Sequence, residues 1–200
     1  MGKQIVGIVG SYRKEHIIDT VVSQALKGAQ AHGAEIKKIY LLDKNIEFCT
    51  NCRKCTQEEG DVRGKCTHND DMEQILDEID SAEGIVLGAP INFFNITALM
   101  KRFIERLLPY CYWPWGKEIP KRRIKKIHKK AITATSSGCP AWLGRIIFRA
   151  APNVLKAAAK CMGANVVKSL YFGNICLTEG QQLPERAMLK AYKAGEKLVS

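Results

Sequence analysis

Ile5-Val6-Gly7-Ile8-Val9-Gly10, followed by Ser11-Tyr12-Arg13-Lys14-Glu15-His16, is the stretch on which the fold turns. An uncharged apolar run that does not alternate describes a strand buried on both faces, as in a parallel sheet. Beyond the polar turn, Ile17, Ile18, Val21, Val22, Ala25, Leu26 and Ala29 recur at helical spacing, and Gly33 is placed to end that helix. Further strands are expected at 35–42, at 84–88 with Ala89-Pro90 breaking it, at 131–135 and at 165–172. Helices are expected from a cap at Asn69 or Asp70 through Ile79, at 97–108, at 142–162 with an interruption near Pro152, and at 184–198. Strands alternating with helices make βαβ units, and five strands so arranged make a doubly wound α/β sheet. The reading is one domain over 1–200, with a cysteine-bearing loop insertion at 43–69 and a basic stretch at 117–130.

Composition narrows the class. The chain has 200 residues, 46% hydrophobic and 26% charged, which excludes global disorder. No stretch approaches the roughly 20 apolar residues of a membrane-spanning helix. The N-terminus runs into the first strand without a separate apolar signal region, so the expected location is cytoplasmic. The formal net charge of +11 is uneven: residues 1–100 carry 11 Lys/Arg against 15 Asp/Glu, and residues 101–200 carry 20 against 5. Much of the excess sits at 117–130, read as an exposed solvated stripe, with nucleic acid, an anionic membrane or an acidic partner as sharper alternatives.

Ligands of an open parallel sheet bind beyond the C-terminal strand ends. Three loops there look specialised. The 10–20 loop lacks both GxGxxG and GxxxxGK[ST], which leaves a strand-to-helix turn with Ser11, Arg13 and a helix N-terminus, groups suited to a phosphate. Ala89-Pro90-Ile91-Asn92-Phe93-Phe94-Asn95 sets paired aromatics beside amides, suited to a flat polar-edged ring, unless the two Phe are simply core. Thr135-Ser136-Ser137-Gly138 is a small-residue turn where backbone can approach a ligand, or an ordinary loop.

Of the eight cysteines, Cys111, Cys139, Cys161 and Cys176 are scattered and read as small buried hydrophobes. Cys49, Cys52 and Cys55 follow the Cys-x2-Cys-x2-Cys spacing of iron–sulfur sites, with Cys66 as fourth ligand after ten intervening residues. A four-iron four-sulfur cluster, zinc and no metal all remain open, and Arg53, Lys54, Arg63 and Lys65 either offset a negative cluster or are solvated.

These motifs together resemble a known family. Gly10-Ser11-x-Arg13-Lys14, Gly88-Ala89-Pro90 with Lys101, Phe103 and Arg106 downstream, and the cysteine motif followed by Asp70-Asp71-Met72 look like the NADPH-dependent FMN reductases. Within them the similarity is greatest to the iron–sulfur flavoproteins of the flavodoxin-like superfamily. The resemblance implies a five-stranded sheet in the order 2-1-3-4-5 and an FMN at its edge. It implies that the phosphate is held by Ser11, Arg13 and the amides around Ile18 and Asp19. Many relatives carry a Thr where this chain has Ile18, so Thr20 or backbone would take over that hydroxyl's contact. The flavin ring would lie between Pro90, Asn92, Phe93, Phe94 and Asn95 on one side and Thr135, Ser136 and Ser137 on the other. The expected function is an FMN-dependent oxidoreductase passing electrons from NADH, NADPH or a redox protein to an acceptor, as a homo-oligomer (dimer or tetramer). The alternative is a non-catalytic flavin-bearing sensor or carrier docking through the basic stretch. No side chain is nominated as catalytic, because the flavin carries the chemistry.

Overall fold

The computed structural model describes residues 2–175 and 177–200; Cys176, one of the scattered cysteines, lies outside the described residues. The main strands are β1 (Gln4–Val9), β2 (Glu35–Tyr40), β3 (Gly84–Asn92), β4 (Lys129–Ser136) and β5 (Ala164–Phe172). They pair in parallel in the order β2-β1-β3-β4-β5, which is the expected 2-1-3-4-5. Among the described residues the helices are α1 (Ile17–Gln30), α2 (Met72–Ser81), α3 (Ala98–Glu105), α4 (Ala141–Ile147), α5 (Ala150–Cys161) and α6 (Glu185–Val199).

Side chains of successive strand residues leave opposite faces, so each buried strand feeds two cores. Val6, Ile8, Ile85 and Leu87 pack with Ile75, Leu76 and Ile79 of α2, Met100 and Phe103 of α3 and Leu155 of α5. Ile5, Val9, Val86, Ile132 and Ala134 pack with Ile18, Val21 and Val22 of α1 and Ala191, Ala194 and Leu198 of α6. The doubly wound arrangement follows directly.

Four local expectations are corrected. Pro90 does not end β3, which runs to Asn92 and pairs Pro90 with Ser136 of β4. Gly88 turns its carbonyl toward β1, where Gly10 N–H donates to it at 2.8 Å. By alternation Pro90 faces that same side, beyond the end of β1, where no N–H is needed. Residues 91–96 form a tight hairpin rather than an open loop: Ile91 pairs with Ile96 and Asn92 with Asn95. The interruption expected near Pro152 in the 142–162 helix falls earlier, at Phe148-Arg149, while Pro152 is the third residue of α5, where the first turn tolerates it. The α2 N-cap is Asp71, although the Asp70 carboxylate does accept the Met72 amide at 3.1 Å.

α3 is seated by Thr97, its N-cap, whose hydroxyl accepts from Met100 N at 3.2 Å and donates to the Gly10 carbonyl at 2.6 Å. A Cβ on Gly10 would stand 2.6 Å from the Met100 side chain, so only glycine permits this approach. The end of β1 and the start of α3 are thereby fixed against each other, which places the first loop.

Candidate functional site

Beyond the C-terminal ends of β1, β3, β4 and β5 lies a cleft of about 440 Å³. The loop after β1 contributes Ser11, Tyr12, Arg13 and His16, and the first turn of α1 contributes Ile17 and Ile18. Pro90 and Asn92 come from β3, Ser136 from β4, and Ile175 from the segment after β5. A neighbouring hollow of about 290 Å³ shares Arg13 and His16 and is lined by Leu177, Thr178, Glu179, Gly180 and Gln181.

The first loop is held from both ends. Arg13 N–H donates to Ser11 Oγ at 3.1 Å, a local turn that occupies the hydroxyl. Tyr12 Oη accepts from Leu99 N at 3.2 Å and so ties the loop to the first turn of α3. Glu15 takes a left-handed φ of 60°, and its amide donates to Asp19 Oδ2 at 2.7 Å. The Asp19 carboxylate also receives Tyr40 Oη and Lys38 Nζ, both at 2.9 Å. Burial pushes the Asp19 pKa up, but hydrogen bonds from Lys38, the Glu15 amide and Tyr40 outweigh it and hold the carboxyl below its ordinary value. With this loop fixed, the amides of Ile17 and Ile18 open α1 with no acceptor among the described residues, as the first amides of a helix do.

The sequence-derived site residues divide accordingly. Ser11, Arg13, Ile18, Pro90, Asn92 and Ser136 line the cleft. Asp19 and Thr20 do not line it: Asp19 anchors the loop, and Thr20 Oγ1 donates to the His16 carbonyl at 3.0 Å. Phe93 and Phe94 are neither core nor cleft wall, being 97% and 63% exposed at the tip of the hairpin. Both have positive φ, 42° and 67°, a pairing typical of a type I′ turn and one that Asn-Gly adopts without strain. Asn95 turns its side-chain oxygen to the Ile96 amide at 2.8 Å. Ser137 Oγ meets Tyr171 Oη at 2.8 Å, and Thr135 Oγ1 is buried with no hydrogen-bond partner. Tyr12, His16, Ile17 and Ile175 line the cleft unforeseen; the segment after β5 leaves the same sheet edge as the other loops, which is the signal that points to it.

The cysteine loop is built mainly by arginines. Arg53 stacks on Trp113 and Trp115, at 3.8 and 4.3 Å from the ring centres, and donates to the Trp113 carbonyl at 2.6 Å. Arg63 binds Glu73 at 2.8 Å and Asp80 at 2.7 Å and also pairs with Asp77, which fastens the loop to α2. Both cations are therefore held in internal contacts rather than standing free in solvent. Asp70 and Asp71 close the loop's other end by accepting the amides of Glu47 at 2.7 Å and Asn45 at 2.8 Å. Arg106, buried with Asp70, reaches Cys66 Sγ at 3.5 Å.

The basic stretch is likewise not wholly a surface stripe. Arg123 is 4% exposed and donates to the carbonyls of Pro109 at 3.0 Å and Cys55 at 3.2 Å. Lys129 is buried and donates to the carbonyls of Asp80 and Ala82, both at 2.7 Å. Buried cations are admissible where carbonyls satisfy them, which spacing along the chain does not reveal.

Cys49, Cys55 and Cys66 are partly buried, Cys52 is exposed, and all four are free thiols. Burial pushes the Cys55 thiol up to about 11, reinforced by Cys66, Cys49 and Cys52 nearby. The four thiols thus share one neighbourhood. Among the described residues, however, no three Cys, His, Asp or Glu side chains converge as a metal-binding group. The donor set suits a thiolate-bound metal in kind, but its present arrangement is not a formed cage.

Over residues 4–173 the chain matches the family described as NADPH-dependent FMN reductase. It belongs to that family. An iron–sulfur flavoprotein from Archaeoglobus fulgidus is 35% identical over 109 residues, covering 54% of this chain and 47% of the relative. The chain thus spans about half the length of the curated relatives it matches. An NAD(P)H:quinone oxidoreductase structure from Methanothermobacter marburgensis superposes with a TM-score of 0.75 at 15% identity, covering 99% of this chain and 100% of that one. A Bacillus anthracis FMN-dependent NADH-azoreductase in complex with FMN gives a TM-score of 0.70 at 15% identity, with 100% of both chains covered. At such identity these two structures establish the flavodoxin-like fold alone. No helix among the described residues is long and apolar enough to cross a membrane.

Proposed function

We propose that the cleft binds FMN and that the protein is an FMN-dependent oxidoreductase, moving electrons from NADH, NADPH or a protein donor to a flavin, quinone or iron-centre acceptor. The carrying observation is the pairing of Arg13 with the open amides of Ile17 and Ile18 at one end of a cleft whose other walls are Pro90, Asn92 and Ser136. A volume of about 440 Å³ suits a cofactor of this class. Family membership supports the same reading.

FMN, when bound, supplies hydride and single-electron transfer. This chain's part is to bind and orient. Arg13 and the amides of Ile17 and Ile18 hold the phosphate, aided by the positive end of α1. Asp19 keeps the loop in place through the Glu15 amide. Asn92 and Ser136 offer polar contacts to the ring edge and Pro90 a flat apolar wall. Ser11, already bonded within its turn, shapes the loop first. No side chain is needed as a general acid or base.

Cys49, Cys52, Cys55 and Cys66 are proposed as the ligands of one metal centre, a four-iron four-sulfur cluster by their spacing, after the loop draws its thiols together. The carrier reading gains little, because Arg123 and Lys129 serve internal contacts. Assembly as a homo-oligomer and a cytoplasmic location complete the proposal.

The test is titration of apoprotein with FMN and with FAD, followed by NADH and NADPH oxidation with a quinone or ferric acceptor. Tight FMN binding, weaker FAD binding and steady turnover are expected. FAD binding as tightly as FMN would sink the cofactor assignment. Salt-sensitive binding to DNA or anionic vesicles without turnover would favour the carrier. Anaerobic reconstitution with iron and sulfide tests the cysteine loop separately.

A further inference from the structure

We propose that Cys111 and Cys161 are a redox pair that closes reversibly into a disulfide, outside the cleft and outside the cysteine loop. The two residues are fifty positions apart, yet their Sγ atoms lie 3.7 Å from each other. Both are free and partly buried. A disulfide needs about 2.05 Å, so side-chain rotation with a small backbone adjustment closes the remaining ~1.7 Å.

The backbones around the pair are already held together. Cys111 and Tyr112 form a two-residue antiparallel ladder with Lys121 and Arg122, in which Cys111 sits opposite Arg122. Arg122 in turn donates to the carbonyl of Lys160, the neighbour of Cys161, at 3.3 Å. Cys161 is the last residue of α5, so the pair joins a loop hairpin to the end of a core helix.

The chemistry of the two thiols differs in a useful direction. The contact with Cys161 and the charges of Arg123 and Arg122 lower the Cys111 thiol to about 7, while that same contact and burial raise Cys161. Cys111 sits opposite Arg122 on the hairpin, where Arg122 and Arg123 favour its thiolate, so it is the attacking sulfur and Cys161, at the helix end, the resolving one. With a small-molecule disulfide RSSR as oxidant, the Cys111 thiolate attacks one sulfur and expels RS⁻, which gives a mixed disulfide. Cys161, losing its proton, attacks Cys111 Sγ and expels the second RS⁻. Two protein thiols and RSSR become one protein disulfide and two RSH.

The bond has a path to the cysteine loop. Arg123 follows the hairpin directly, accepts its register through Tyr110 (N–H to carbonyl, 2.9 Å), and holds the Cys55 carbonyl at 3.2 Å. Oxidation would anchor that hairpin covalently on α5.

The experiment exposes reduced, purified protein to oxidised glutathione, blocks remaining thiols with iodoacetamide, and maps tryptic peptides without reduction. Expected is peptide 107–117 linked to 161–168, lost on treatment with dithiothreitol. Cys161→Ser should stop at a glutathione adduct on Cys111, and Cys111→Ser should leave Cys161 alkylated. Circular dichroism checks that both variants fold; if either does not, the wild-type map decides alone. Recovery of both cysteines alkylated, a persistent glutathione adduct on wild-type Cys111, or linkage of either to Cys49, Cys52, Cys55 or Cys66 instead would overturn the proposal.

Discussion

The guanidinium of Arg106 grips both oxygens of the Asp70 carboxylate, at 2.6 and 3.1 Å, and the nitrogen making the longer contact also lies 3.5 Å from Cys66 Sγ. Both side chains are about as buried as charged groups become, 2% and 1% exposed. A third hydrogen bond runs from Arg106 to the Glu47 carbonyl at 2.7 Å. One ion pair thus joins α2's entry, the residue after α3, and both halves of the cysteine loop.

Removing one partner leaves a buried charge uncompensated. Asp70→Asn or Arg106→Ala is expected to cost ~3–5 kcal/mol, read from urea denaturation at neutral pH. Burial raises the Asp70 pKa, but Arg106 and the amides of Glu47 and Met72 bring it below its ordinary value. The pair's contribution is therefore complete above the unfolded carboxyl pKa of about 3.9 and is lost as pH falls through the lower folded pKa. Wild type should lose more stability than Asp70→Asn across that acid window; equal loss would show that Asp70 is not the group responsible.

Arg13→Ala should weaken FMN by ~1.5–3 kcal/mol, the scale of a hydrogen bond to a charged group. Flavin fluorescence titration reads this directly. Because Arg13 is exposed in the free protein, the melting temperature without flavin should stay where it is.

Phe93 and Phe94 occupy left-handed backbone that costs about 1–3 kcal/mol per non-glycine residue. Replacing the pair with Asn-Gly should relieve part of this and raise stability by ~1–2 kcal/mol. Calorimetry tests it, and a fall in melting temperature would mean that the exposed rings contribute more than the turn costs.

The basic stretch divides in two. Lys121, Arg122, Lys125 and Lys126 are exposed, and changing all four to Gln should leave flavin occupancy unaltered. Arg123→Ala should destabilise by ~3 kcal/mol, since the carbonyls of Pro109 and Cys55 lose their donor. Denaturation curves of the two variants, measured side by side, separate the cases.

What the sequence by itself determined was periodicity and its consequences. The unalternating run 5–10, the helical spacing from Ile17 to Ala29 and the later alternation of strands and helices suffice for a doubly wound parallel sheet, because burial on two faces imposes those patterns locally. The first loop as a cleft wall was equally legible, since the sheet topology dictates where strand ends open. Only the tertiary structure decided what each polar side chain meets. Asp19 reads as a site residue yet serves as the loop's anchor, because Lys38 and Tyr40 arrive from β2. Arg123 reads as surface yet is buried, because carbonyls from two distant segments converge on it. Cys111 and Cys161 carry no spacing signal at all, and their meeting depends on where a hairpin lands on α5. Hydrophobic pattern repeats along the chain and can be read there, whereas hydrogen bonds and thiol pairs depend on groups far apart in sequence that only the folded chain brings within a few ångströms.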